Sequence, residues 1–227
     1  MKYEIKGDSD CPLVHINLDK NESIYIERGC MAYMQDTEIE GKLNSRGGGL
    51  LSALGRSLTS GESIFITEAK GLSNSSIIGI APGYPGKIVA LKVSGNNQYR
   101  LNTSVFLACD FSVNYKMVSQ SISKALFGGT GGFYIMETEG TGDMLVSAFG
   151  DILELEVNAS KPLIVDNEHV VCWDKNLDYD IRVSSGILGF KTGEGLVNEF
   201  RGNGKVYIQT RNIHNLADSI AKFIPTN

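Results

Sequence analysis

Three stretches decide the fold: residues 24–32 read IYIERGCMA, residues 99–107 read YRLNTSVFL, and residues 163–171 read LIVDNEHVV. Each stretch has a short apolar run, a polar turn of three residues and a second apolar run. The apolar runs are rich in β-branched and aromatic residues, which is typical of strands bounded by turn residues. The sequence therefore predicts the same strand–turn–strand element at three places along the chain.

Two further landmarks follow each stretch in the same order. The second landmark places two small or polar residues before an apolar pair, and the third is a mostly apolar run. They are ESIF at 62–65, GGFY at 131–134 and EGLV at 194–197, then IIGI at 77–80, MLVS at 144–147 and VYIQ at 206–209. Similar order and similar spacing indicate an internal repeat. The first copy is longer because residues 47–60 form an insert.

These landmarks predict a mainly β fold with three tandem, diverged β-sandwich or double-stranded β-helix units packed into one body. The first unit spans residues 12–82, the second 85–150 and the third 151–211. Residues 212–227 form a C-terminal helix and tail. The linkers are short, which favours packing of the units against one another.

A few short helices complete this prediction. Apolar residues recur at helical spacing within 50–58 and 118–126. In the C-terminal helix, Ile213, Leu216, Ile220 and Phe223 lie on one stripe. That stripe could pack on its own chain or on a neighbour, and packing on its own chain is favoured.

The charge balance is acidic, with a formal net charge of −5 and a pI of about 5.3. Binding of nucleic acid draws on Lys and Arg side chains that neutralise phosphates. Because the chain has no Lys/Arg run, we expect no nucleic-acid partner. A local patch of arginines such as Arg46, Arg56 and Arg100 stays open as an alternative.

The N-terminal residues read MKYEIKGDSD and contain no apolar stretch of signal-peptide length. No segment approaches the roughly 20 apolar residues of a membrane span. We therefore expect a cytoplasmic protein without membrane insertion. Cys30, Cys109 and Cys172 lie in apolar runs and Cys11 does not; none forms a CxxC pair, which favours reduced, buried thiols over disulfides.

No catalytic, cofactor-binding or metal-binding residue is predicted, and no cofactor is expected. His15, His169 and His214 form no metal-ligand pattern. Residues 186–192 resemble the end of a phosphate-binding loop, but Phe190 stands between the glycine and the lysine.

Acidic side chains are interpreted as solvated surface. Glu137 and Glu139, like Glu154 and Glu156, alternate along expected strands and so share a face. The acidic residues around Trp173 lack the ligand spacing of a calcium loop. They are Asp174, Asp178 and Asp180.

Several motifs together resemble the altered inheritance of mitochondria family of uncharacterised proteins. They are GGGLLSALGR at 47–56, GESIF at 61–65, APGYPG at 81–86, LFGG at 126–129, HVVCWD at 169–174 and GEGL at 193–196. The resemblance implies a fold similar to the tryptophan RNA-binding attenuation protein and a homo-oligomer, with a trimer favoured. It carries no established functional residues to this chain. Its mitochondrial members are associated with inner-membrane organisation, a location not expected here.

The sequence therefore favours a non-enzymatic oligomeric scaffold or partner-binding protein with an unidentified protein partner, and the resemblance favours a homotrimer. One alternative is a ring that binds a small ligand or RNA, which rests on fold analogy alone. Another is an enzyme whose active site lies between subunits.

Overall fold

The computed structural model describes residues 1–7, 10–43, 65–119, 134–183 and 196–224. Nineteen strands cover most of this part of the chain and form four antiparallel sheets. The prediction of a mainly β fold is confirmed. The predicted helix at 50–58 lies outside the described residues.

The first two sheets hold the N-terminal strands and part of the middle of the chain. In spatial order, the first sheet contains β1 (Lys2–Lys6), β2 (Leu13–Leu18), β7 (Ser76–Ile80) and β4 (Met31–Gln35). The second sheet contains β5 (Thr37–Leu43), β6 (Phe65–Gly71), β3 (Ser23–Ile26), β10 (Phe106–Asp110), β13 (Gly142–Ser147) and β8 (Ile88–Val93).

The other two sheets hold the rest of the strands. The third sheet contains β11 (Val113–Ser119), β12 (Tyr134–Gly140), β9 (Tyr99–Asn102), β16 (Val170–Asp174), β19 (Gly204–Gln209) and β14 (Ile152–Val157). The fourth sheet contains β15 (Leu163–Asp166), β18 (Leu196–Arg201) and β17 (Asp178–Val183).

The three deciding stretches form strand–turn–strand elements. In the first, β3 ends at Ile26 and β4 begins at Met31. In the other two, the turn is a single turn of 3-10 helix, at Thr103–Val105 and Asn167–His169. His169 therefore lies in the turn between β15 and β16.

One pattern of strand pairing occurs three times. The order β2-β7-β4 matches β8-β13-β10 and β14-β19-β16, while β5-β6-β3 matches β11-β12-β9 and β17-β18-β15. The register shifts at the same point of β4, β10 and β16, where one extra residue makes a β-bulge. We call each six-strand pattern a set. Descent of the three sets from one copied unit, with the boundaries given above, stays a prediction.

The register corrects one landmark of the alignment. Met34, Cys109 and Trp173 occupy equivalent positions after the bulge, and they pair with Ile78, Met144 and Val206. The residue equivalent to Met144 is therefore Ile78, whereas the spacing argument chose Ile77. A shift by one residue exchanges the two faces of a strand, so the register decides which side chains enter a core.

Three hydrophobic cores lie between successive sheets. The first core includes Ile16 and Ile78 of the first sheet and Ile24 of the second. The second core includes Met144 of the second sheet and Leu101 of the third. The third core joins the third and fourth sheets. Its buried residues are Ile135, Val157, Val165, Val170, Trp173, Leu177, Phe200 and Val206. Burial of each large apolar side chain contributes roughly 1.5–3 kcal/mol to folding.

The predicted C-terminal helix is present as α1 (Ile213–Ala221). The side chain of Asn212 caps it by accepting hydrogen bonds from the backbone N–H groups of His214 and Asn215. No residue of α1 is buried, so the favoured packing of its apolar stripe on its own chain is not observed.

The predicted helix at 118–126 is wrong at its start. Val118 lies in β11 and pairs with Ile135 of β12, and this ladder continues to Ser119. Long-range pairing has overridden the local helical spacing at this point. Residues 120–126 lie outside the described part of the chain.

Candidate functional site

Among the described residues, Glu137 on β12 is the carboxylate with the most cationic partners, and its side chain is only 8% exposed. Its Oε2 lies 2.9 Å from Nε of Arg100 on β9. Its Oε1 lies 2.9 Å from Nζ of Lys175, which follows β16, and 3.2 Å from Nζ of Lys116 on β11. Four segments that are distant in the sequence therefore meet at one carboxylate.

The surroundings of Glu137 hold it in the ionised form. Burial alone would raise its pKa, but hydrogen bonds from Lys175, Arg100 and Lys116 outweigh burial and lower the pKa to about 2. A carboxylate of such low pKa is a weak base near neutral pH, so it is poorly suited to proton transfer. The ion pairs of Glu137 are instead suited to holding neighbouring strands together.

Arg100 is held by further contacts. Its Nη1 donates a hydrogen bond to the carbonyl oxygen of Leu177 at 3.3 Å, and its guanidinium carbon lies 5.6 Å from the ring centre of Tyr179. Arg100 therefore stays within this cluster and does not extend as a phosphate-binding arm. Arg46 and Arg56, the other arginines of the suggested patch, lie outside the described residues.

Equivalent carboxylates occupy the same register position in the other two sets. Tyr25 pairs with Glu68 as Arg100 pairs with Glu137 and as Ile164 pairs with Glu199. Nζ of Lys42 lies 2.5 Å from Oε2 of Glu68. Glu199 forms ion pairs with the guanidinium groups of Arg182 and Arg201. The interpretation of Glu137 as part of a solvated face is wrong, whereas Glu139, 52% exposed, fits it.

The three histidines lie apart from one another, and each contacts a different neighbour. Nδ1 of His15 lies 2.6 Å from the hydroxyl of Tyr33, and Nδ1 of His169 lies 2.7 Å from the carbonyl oxygen of Gln209. His214 lies 3.4 Å from a carboxylate oxygen of Glu168. Among the described residues, no group of three or more His, Cys, Asp or Glu side chains could hold a metal ion.

All four cysteines are reduced thiols; Cys11 is exposed and the other three are buried. Burial raises the pKa of Cys30 to about 12, and burial also raises the pKa of Cys172. A buried thiol with a raised pKa is a poor nucleophile. Both side chains act as small apolar groups in the cores.

Two other acidic candidates, Glu154 and Asp174, both contact Lys205. Nζ of Lys205 lies 2.6 Å from Glu154, and the backbone N–H of Lys205 donates to Asp174 at 2.8 Å. These contacts hold β14, β16 and β19 together. The loop-like segment at 186–192 lies outside the described residues.

Of the described strands, β4, the last strand of the first sheet as described, has the most exposed large apolar side chains. All five of its residues are exposed, with Met31 and Tyr33 at 38% and Met34 at 42%. The Tyr33 ring lies across Gly79 of β7, where any added Cβ would overlap the ring. At the end of the fourth sheet, Ile164 of β15 is 54% exposed. These two edge strands belong to the first and fourth sheets; single exposed apolar side chains also lie on the edge strands β1, β5 and β14, at Ile5, Ile39 and Leu153.

Comparison with known proteins identifies the family. A family model described as mitochondrial biogenesis AIM24 matches residues 3–211. The chain belongs to the AIM24 family. The family resemblance noted in the sequence is therefore confirmed.

Two relatives support membership of the AIM24 family. An uncharacterised protein of Streptococcus pyogenes serotype M6 is 43% identical over 232 residues, with 100% of this chain and 92% of that protein covered. An X-ray crystal structure of a Streptococcus pyogenes protein is similar with a TM-score of 0.80 and 39% identity, over 98% of this chain and 99% of the other. In the described part of this AIM24-family chain, no helix is long and apolar enough to cross a membrane.

No local sequence pattern predicted the Glu137 cluster. Arg100, Lys116 and Lys175 are spread over three strands or strand ends, so no motif links them. The only available signal was the alternation that predicted a shared face for Glu137 and Glu139. A carboxylate that alternates into a partly buried face needs cations nearby, but alternation cannot say which ones.

Proposed function

We propose that this AIM24-family chain is a non-enzymatic scaffold that works as a homo-oligomer, with a trimer favoured, and that presents a surface to a protein partner. One observation carries the proposal. Strand β4 is uncharged, exposed at all five residues and last in its sheet as described, and its sequence is MAYMQ.

An edge of this kind favours association. An edge strand presents a row of unpaired N–H and C=O groups, and monomeric proteins usually protect such edges with lysine, proline or a covering segment. Strand β4 contains neither lysine nor proline, and it adds exposed Met31, Tyr33 and Met34 to the edge backbone groups. Such an edge is stable in solution when another strand covers it.

The polar clusters support a structural interpretation. Glu137 and Glu199 are each held by two or more cationic side chains, and Glu68 is held by Lys42. Groups that neutralise one another across strands stabilise a framework. A ring that binds a small ligand or RNA, and an enzyme with a site between subunits, stay hypotheses that these contacts do not favour.

The proposal is tested by the molar mass of the purified protein in solution. Light scattering after size exclusion at micromolar concentration should give about 74 kDa, three times the chain mass of 24.6 kDa. A mass of 24.6 kDa across the concentration range would contradict the proposal. The partner is tested by capture with wild-type protein, using a charged β4 variant as the comparison.

A further inference from the structure

We infer that β4 of one copy pairs with β15 of a second copy, antiparallel and with Met34 opposite Ile164. This inference rests on the proposed assembly and adds the interface to it. The inference follows from a strand junction that occurs twice inside the chain. One further strand of each of the two kinds that form this junction has no such partner and lies at the edge of a sheet.

The two internal junctions join successive sets at equivalent residues. Between the first and second sets, β3 pairs with β10, and Tyr25 lies opposite Cys109. Between the second and third sets, β9 pairs with β16, and Arg100 lies opposite Trp173. Cys109 and Trp173 both follow the bulge of their strands, so these two pairs are counterparts.

The next pair along each junction keeps the same register. Ile26 lies opposite Ala108 in the first junction, and Leu101 lies opposite Cys172 in the second. The chain therefore uses one antiparallel register wherever two sets meet.

The two strands that lack a junction partner, β15 and β4, lie at sheet edges. In the fourth sheet, Ile164 pairs with Glu199 as Tyr25 pairs with Glu68, so β15 is the counterpart of β3 and β9. In the first sheet, β4 carries the bulge found in β10 and β16 and is therefore their counterpart. The shared register then places Met34 opposite Ile164, and it places the residue before Met34 opposite the residue after Ile164. The joined strands would run as one sheet from β1 to β17.

The cores point to the same pairing. Each internal junction brings residues of the next set over the core of the set before it. Ala108 and Leu145 of the second set lie in the first core, and Cys172 of the third set lies in the second core. The counterpart of Ala108 and Cys172 is Tyr33, which is 38% exposed. In the inferred pairing, Tyr33 of the second copy lies opposite Val165 and covers the third core.

The occupant is a second copy because one chain does not join its own edges. Met34 and Ile164 are 42% and 54% exposed in the single chain, so neither strand covers the other. The contact uses different surfaces on the two copies and is therefore head to tail. Contacts of this kind close into rings when the rotation between copies permits it.

Disulfide trapping between two co-expressed, differently tagged variants tests this inference. One variant carries Met34→Cys and the other Ile164→Cys, both with Cys11→Ser because Cys11 is the exposed native thiol. Residues directly opposite in an antiparallel pair are close enough for a disulfide. The matched control replaces Ile164→Cys by Leu153→Cys, on β14, where Leu153 is 48% exposed.

We expect a covalent dimer that carries both tags, is lost on reduction and forms in the Met34/Ile164 mixture only. An oligomer by light scattering without this disulfide would overturn the inferred pairing while leaving the proposed assembly in place. Equal trapping in the Leu153 control would also overturn it. A monomeric mass would overturn both the pairing and the assembly.

Discussion

At the scale of single residues, three equivalent carboxylates are neutralised in different ways. Glu137 binds cations from the second and third sets, whereas Glu68 and Glu199 each bind cations from their own set alone. Of the three carboxylates, Glu137 is therefore the one that links two sets. Because its ion pairs need an ionised carboxylate, the stability that Glu137 contributes should depend on pH.

Glu137→Gln should destabilise the protein by about 2 kcal/mol at pH 7, the scale of hydrogen bonds to charged groups. The folded-state pKa of Glu137, about 2, lies below its ordinary value of 4.5. Its stabilisation is therefore present above pH 4.5 and is lost as pH falls towards 2. Denaturant unfolding of both proteins should show the difference shrinking over this range.

The control is Glu139→Gln, since Glu139 is 52% exposed and shares Lys116. Its effect should stay within about 0.5 kcal/mol, as for other exposed ion pairs. Equal effects of the two substitutions at pH 7 would contradict the importance of burial at Glu137.

Glu27→Gln should have the opposite sign. Burial raises the pKa of Glu27 from 4.5 to about 7, so its ionisation opposes folding as pH rises from 4.5 to 7. Asn102, the counterpart of Glu27 in the second set, donates a hydrogen bond to the carbonyl oxygen of Val170 at 2.6 Å, so an amide already occupies the equivalent position of that set. The melting temperature of the variant should exceed that of wild type at about pH 8 and match it at about pH 4. The reverse order, or an equal gain from exposed Glu38→Gln, would contradict this.

At the scale of elements, local chemistry predicted more than long-range pairing. The strand–turn–strand stretches were predictable because apolar runs and polar turns alternate within nine residues. The C-terminal helix was predictable from its stripe and from Asn212. The register was not, since Ile78 and Ile77 are equally apolar and only pairing with Met34 distinguishes them. The end of β11 was missed for the same reason, because Ile135 fixes Val118 in a strand.

Helix α1 should tolerate charge on its apolar stripe. Leu216 and Ile220 are 41% and 48% exposed, so Leu216→Glu and Ile220→Glu remove little buried area. Thermal unfolding of each variant should give a loss within about 0.5 kcal/mol, the usual range for surface substitutions. Ile78→Ala, in the first core, is the comparison and should cost about 2–5 kcal/mol. A loss of that size at Leu216 would show that the helix packs on its own chain.

At the scale of the whole molecule, the chain has two different ends. The first sheet ends in β4 and the fourth in β15, and each is the missing partner of the other in a junction that the chain uses twice. Head-to-tail pairing would leave neither edge open. The inferred assembly therefore predicts that the two edges are separately necessary and mutually complementary.

The most direct test is complementation between two edge variants, followed by light scattering. Met34→Lys blocks β4 and Ile164→Lys blocks β15, because a charged lysine opposes pairing at a strand edge. Each variant alone should have the monomer mass of 24.6 kDa, and Leu153→Lys should assemble like wild type. An equimolar mixture of the two blocked variants should form a dimer of about 49 kDa, twice the chain mass, through the one intact pair of edges. A mixture that stays at 24.6 kDa, or single variants that keep the wild-type mass, would contradict the pairing of β4 with β15.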